Sequence, residues 1–223
     1  MPRSLLLLFL AIPVLAGAEV ETEYGGHTKF RLVGESYPAN SVFHDVVGGE
    51  TIDLAADLRL NLQLESGRWT FDSAWQLVGL QGEGLRISGI PDDDRRLLNL
   101  SDVIADGTES ALLHRLDRFW VGYTSEKAVV RFGRQALSWG NGLAYAPMDL
   151  VNPFDPASID TEYKVGDDML YAQYLQDSGN DLQFAWVVRR DPLTGDVEQD
   201  QAAPPMRTAG RCRYPADIAR RAC

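Results

Sequence analysis

The chain has 223 residues but only two cysteines, three histidines and no excess of positive charge; 21 Lys and Arg stand against 32 Asp and Glu. Cys212 and Cys223 lie close to one end, so they cannot make a disulfide-rich scaffold or complete a zinc site. His27, His44 and His114 leave little material for histidine-based metal chemistry. A net charge of −11 and a pI near 4.7 exclude a nucleic-acid binder with a basic footprint. Beyond the N-terminus no apolar run approaches the ~20 residues of a membrane helix. A Gly-x-Ser-x-Gly elbow, a phosphate loop, a dinucleotide fingerprint and a haem motif are all missing. None of the histidines has a nucleophile and an acid at a matching strand depth. No catalytic residue or cofactor is therefore assigned, and enzymatic activity is not expected. What is present is a chain that is 45% hydrophobic, too apolar for disorder and long enough for one sizeable domain.

Residues 1–18 read as an export signal. Arg3 supplies a positive start, Leu5 to Ile12 an apolar stretch broken by Pro13, and Ala16-Gly17-Ala18 the small residues expected before a cleavage site. The remainder is expected in the cell envelope or outside the cell.

From Asp53 to Glu65 the sequence has a period of two. Leu54, Ala56, Leu58, Leu60, Leu62 and Leu64 share one parity, while Asp53, Asp57, Arg59, Asn61, Gln63 and Glu65 share the other. Only a strand turns that alternation into one oily and one wet face. At about 12 residues it is near the length of a tilted membrane strand. Weaker versions recur over 28–34, 68–80, 113–123, 127–135, 168–176 and 181–190, giving seven expected strands. Trp120 spoils an otherwise clean split. Tight polar turns at 65–68, 124–127 and 176–180 alternate with long connections at about 35–52, 81–112 and 136–167. An up-and-down outer-membrane barrel requires such alternation, with short periplasmic turns and long external loops; compact soluble domains seldom carry loops this long. Trp69, Phe71, Tyr123, Tyr174, Phe184 and Trp186 are the expected source of interfacial girdle residues. The expected fold class is thus all-β, an antiparallel transmembrane β-barrel seen in part over residues 19–200. The alternative is a secreted soluble β-protein whose oily face is its core.

From about Gln201 the character changes. Residues 201–223 hold five arginines against Asp217, three prolines and both cysteines, and no alternation survives. Prolines exclude a central strand. The Ala, Arg, Pro and Gly bias is that of a GC-rich gene read out of frame, so the expectation is a larger barrel cut short, with a non-native or disordered tail.

Residues 131–173 contain Arg-Phe-Gly-Arg-Gln, then Ser-Trp-Gly-Asn-Gly, Pro-Met-Asp, Val-Asn-Pro-Phe-Asp-Pro and Lys-Val-Gly-Asp-Asp-Met. This run resembles large porin-like barrels of Gram-negative outer membranes, a group that includes uncharacterised families and, more distantly, alginate-export channels. The resemblance implies that Gly133, Arg134, Gln135, Trp139 and Gly140 sit at the external end of a strand. It also implies that Pro147, Asp149, Asn152, Pro153 and Asp155 shape a loop folding toward the lumen.

The wet parity offers Asp57, Arg59, Asn61, Gln63, Asp72, Gln76, Arg118, Arg131 and Gln135 to such a lumen, where mixed charges set ion or sugar preference. Asp149, Asn152, Asp155 and Asp160 are oxygen donors, but Asx turns explain them better than calcium, and no metal is assigned. Asp92-Asp93-Asp94 beside Arg95-Arg96 reads as a solvated loop, with contact to cation-bridged lipopolysaccharide the alternative. The expected function is an outer-membrane channel for ions, small solutes or polysaccharide, with membrane lipid, lipopolysaccharide and the barrel-assembly machinery as partners. A non-transporting structural or surface-binding barrel is the other class.

Overall fold

The computed structural model describes residues 19–137, 163–198 and the backbone of 202–208. Its strands are β1 (Val20–Ser36), β2 (Glu50–Ser66), β3 (Trp69–Gln81), β4 (Ser101–Asp106), β5 (Ser110–Thr124), β6 (Ala128–Gln135), β7 (Asp167–Leu175), β8 (Asp181–Val187), β9 (Arg189–Arg190), β10 (Val197–Glu198) and β11 (Ala202–Thr208). Two single-turn helices, α1 (His44–Val47) and α2 (Leu85–Ser88), lie in the long connections. The main sheet is antiparallel and runs β1-β2-β3-β5-β6-β7-β8-β11, with β4 added on β5; β9 and β10 form a separate hairpin. The fold is all-β. The sheet does not close on itself among the described residues, and β1 and β11 are its two edges.

The three tight turns occur where the polar Gly and Ser clusters predict them. Ser66 pairs directly with Trp69, so the β2–β3 loop is two residues, and Gly67 takes φ 60° there. Ser125 closes the β5–β6 turn, its hydroxyl accepting from the Ala128 amide at 3.0 Å. Gly179, at φ 81°, sits in the β7–β8 turn.

Three features differ from the sequence reading. The first two strands run to 17 residues each, because β1 continues through Val20–His27, a stretch too mixed to show a period. The 81–112 connection is not plain loop. It holds β4, whose hairpin with the start of β5 inserts an extra strand and breaks the strict alternation of long and short connections. The sheet also continues past residue 201: β11 pairs with β8, and its register shifts between Ala203 and Met206, across Pro204 and Pro205. Prolines are tolerated there because β11 is an edge strand. The expected seven strands thus become nine in the main sheet.

The distribution of side chains is the reverse of a soluble sheet. On β2, Leu60 is 52% exposed while its neighbour Arg59 is 3% exposed. Tyr24, Phe30, Leu32, Ile52, Trp69, Val121, Phe132, Tyr174 and Trp186 are likewise exposed, whereas Gln76, Asp117, Gln135, Asp167 and Asp168 are buried. The apolar core is small: Met169, Tyr171, Ala185 and Val187, on β7 and β8, with Leu137 packed against them.

Candidate functional site: a charged sheet face and its anchor

The register lines up the residues expected to share a face. Arg59 lies opposite Gln76, Gln63 opposite Asp72, and Asn61 opposite Ala74. Ala74 in turn faces Arg118, and Asp72 faces Trp120. Arg131 faces Gly122 on one side and Tyr171 on the other. Strand pleating puts Asp57, Arg59, Asn61 and Gln63 of β2 on this face together with the others. Gln76 donates to Asp57 and accepts from the Arg115 side chain at 2.7 Å. Gln135 donates to the Met169 carbonyl at 3.3 Å. Trp120, the residue that disturbed the alternation, belongs to the wet face, opposite Asp72 and beside the Arg131 guanidinium.

Asp117 is the charged hub that parity conceals. A bulge between Ala74 and Trp75 on β3 skips residue 117, since Ala74 pairs with Arg118 and Trp75 with Leu116. A bulge re-aims the extra side chain. The Asp117 carboxylate accepts from Arg59 and Arg118, each at 2.7 Å, and from the Gly166 amide at 3.1 Å. An aspartate at the parity of Phe119 was the signal in the sequence that this position is not lipid-like or core-like.

The segment 163–166 crosses the same face. Tyr163 stacks on His27 with ring centroids 4.8 Å apart, and the Arg59 guanidinium lies 4.9 Å from its ring. Arg118 donates to the Lys164 carbonyl, and the Lys164 ammonium donates to the Leu137 carbonyl at 2.6 Å. Gly166 is required for this approach: a Cβ there would lie 2.2 Å from the Asp117 carbonyl oxygen and 2.8 Å from Arg134 Cγ. The strap thus ties β1 and β2 to β5 across the charged face.

A second cluster centres on Arg134, which is 1% exposed. It engages Asp168 through Nε at 3.0 Å and through its second terminal nitrogen at 3.1 Å, and Asp93 at 2.6 Å. It also donates to the Leu98 and Leu116 carbonyls. The reason lies in the topology. Along one edge of β5, β4 pairs with residues 111–115 and β6 with residues 119–124. At the junction of two partner strands the ladder is interrupted, and buried carbonyls need a donor. The guanidinium fork supplies it. The Oδ2 atoms that accept from Arg134 also accept backbone amides, Asp168 from Leu98 at 2.7 Å and Asp93 from Leu100 at 2.9 Å. Asp93 also pairs with Arg96. Burial pushes the Asp93 carboxyl up, but Arg134 and Arg96 together outweigh it and hold it below the usual carboxylate range. Alongside, Asp167 accepts from Arg189 at 2.5 Å.

Asp93 therefore corrects the reading of 92–96 as a solvated loop: its side chain is buried and pins the loop to the sheet. Of the motif residues, Gly133 has φ 122° between the Arg131 and Arg134 positions, and Arg134 is the anchor just described. Trp139, Gly140, Pro147, Asp149, Asn152, Pro153, Asp155 and Asp160 lie outside the described residues, as do residues 1–18 and both cysteines. Among the described residues no group of three or more His, Cys, Asp or Glu is placed to hold a metal. No described helix is long and apolar enough to cross a membrane, which says nothing of crossing by strands. The chain matches no protein-family model, no curated protein and no solved structure.

Proposed function

We propose that the chain forms the wall of an outer-membrane β-barrel whose charged face lines a passage for ions and small polar solutes. The observation that carries this reading is the inverted sheet, with leucines and aromatics bare on one face and arginines and aspartates buried on the other. In water each bare Leu or Phe forgoes about 1.5–3 kcal/mol of burial; in lipid the same surface is satisfied. A soluble β-protein would need a second layer over the oily face, and none is present among the described residues. Trp69 and Tyr123, stacked edge to face at the short-turn end with Arg68 reaching the Tyr123 hydroxyl, suit a lipid–water boundary. On this reading residues 1–18 direct export. Lipid and lipopolysaccharide surround the oily face, and a membrane setting requires partners for the β1 and β11 edges, since an open edge in lipid is not tolerated.

A second reading has its own observation. The strap 163–166 lies across the charged face, which favours a non-transporting barrel that holds a ligand. One pair of measurements decides. The chain is expressed with its N-terminal segment, the envelope is fractionated, and gel mobility is compared before and after boiling. The recovered protein is then placed in planar bilayers. Heat-modifiable protein in the outer membrane with stable ion steps supports the passage. The same protein without steps supports the binding barrel, and soluble periplasmic protein sinks both.

A further inference from the structure

We propose that Arg131, flanked by Trp120 and Tyr171, is a binding site for a carboxylate on the charged face; this rests on that face being open to solute. Arg131 lies on β6 between β5 and β7, and its guanidinium carbon sits 5.0 Å from the Trp120 ring and 5.8 Å from the Tyr171 ring. Aromatic faces on either side hold the guanidinium by cation–π attraction while leaving its in-plane N–H edge unspent. Among the described residues, no side chain or carbonyl accepts a hydrogen bond from that guanidinium.

The seat for this arrangement is built by a missing side chain. Gly122 lies directly opposite Arg131. A Cβ there would fall 2.9 Å from the Trp120 ring and 3.3 Å from Arg131 Cγ. Glycine lets the indole lie over position 122 and reach the guanidinium. Trp120 stands opposite Asp72 of β3 on its other side.

Charge selects the ligand class. Arg59 and Arg118 are both committed to Asp117. Asp72 lies within electrostatic range of Arg118, Arg59 and Arg131. With Arg115 and Asp57 on the same face, four guanidinium groups stand against three carboxylates, and Arg131 is the one whose donors meet no acceptor among the described residues. A single planar fork with one surplus charge matches a monovalent carboxylate taken side-on. A dianionic phosphate asks for a second uncommitted cation, which is not present among these residues.

The test uses the full chain in detergent micelles, titrated at constant ionic strength with acetate, its neutral isostere acetamide, and inorganic phosphate, following tryptophan fluorescence. Saturable binding of acetate, at least tenfold weaker in Arg131→Gln and partly kept in Arg131→Lys, is expected, with no response to acetamide. Gly122→Ala keeps the charge but displaces the indole, and is expected to weaken acetate binding severalfold. Equal titrations of wild type and Arg131→Gln overturn the site, as does tighter binding of phosphate than of acetate. Bilayer conductance of the same preparation separates the two ideas. Ion steps without Arg131-dependent acetate binding remove the site and keep the passage; binding without steps does the reverse.

Discussion

Arg131 and Arg134 stand three residues apart on one strand, and the sheet treats them in opposite ways. Arg134 is sealed, with two carboxylates and two carbonyls around its fork. Arg131 is stacked between rings, with no hydrogen-bond acceptor among the described residues. Between them Phe132 is 58% exposed on the oily face. Within four residues the strand thus presents a stacked charge, an exposed aromatic and a structural anchor. The difference teaches that charge on this sheet is not one population. Where the ladder breaks, at the junction of β4 and β6 on β5, an arginine replaces missing backbone donors; where the ladder is continuous, an arginine is left available.

The largest test of that contrast is Arg134→Ala. Removing the fork leaves Asp168 buried without its cation and Asp93 with Arg96 alone, which costs about 3–5 kcal/mol. Denaturant unfolding in micelles should show a loss of that size, and proteolysis should open the 91–100 segment first. A loss below about 1 kcal/mol would mean the cluster is a surface ornament rather than the anchor.

Phe132→Lys comes next. If the oily face meets lipid, a lysine near the middle of the strand costs about 2–4 kcal/mol. If that face meets water, the same change stays within about 0.5 kcal/mol, as exposed substitutions usually do. Unfolding from lipid vesicles therefore separates a membrane wall from a soluble sheet on a single residue.

Much of this was readable from the chain, and the failures have a common cause. The period of two from Asp53 to Glu65 placed Arg59 and Leu60 on opposite faces, and the burial of β2 alternates accordingly over 51–54 and 59–62. Periodicity is a local signal, however, and Asp117 and Arg134 are governed by irregularities in pairing between strands. The bulge at Ala74 and Trp75 turns Asp117 toward Arg59, and the change of partner along β5 explains Arg134; neither is encoded within one strand. Both residues carried the same warning, a charge at the parity of Phe119 or Phe132. Asp93 was hidden for another reason: three consecutive aspartates look alike in sequence, and only the middle one reaches the guanidinium. Tyr163 was invisible because its partners His27, Lys29 and Arg59 are more than a hundred residues away in the chain.

Acid should loosen the sealed cluster. Because Asp93 is held below its ordinary value, near 3.9 when unfolded, its contribution is complete at neutral pH and lost only as pH falls through the lowered value. Amide exchange at Leu100, whose N–H bonds to Asp93, should stay slow from pH 7 to about pH 4, after correction for intrinsic rates, and rise below it. The effect should be smaller than that of Arg134→Ala, since protonating Asp93 leaves the guanidinium and its bonds to the Leu98 and Leu116 carbonyls in place. Loss of protection already near pH 6 would contradict the lowered carboxyl.

The smallest effect on stability is expected where the proposed effect on binding is greatest. Arg131→Gln gives up only stacking against Trp120 and Tyr171, worth about 0.5–1 kcal/mol at a partly exposed site, and strands no buried partner. Its unfolding midpoint should lie close to wild type while acetate binding falls at least tenfold. A destabilisation as large as that of Arg134→Ala would show that Arg131 is also an anchor with acceptors of its own, and the contrast between the two arginines would collapse.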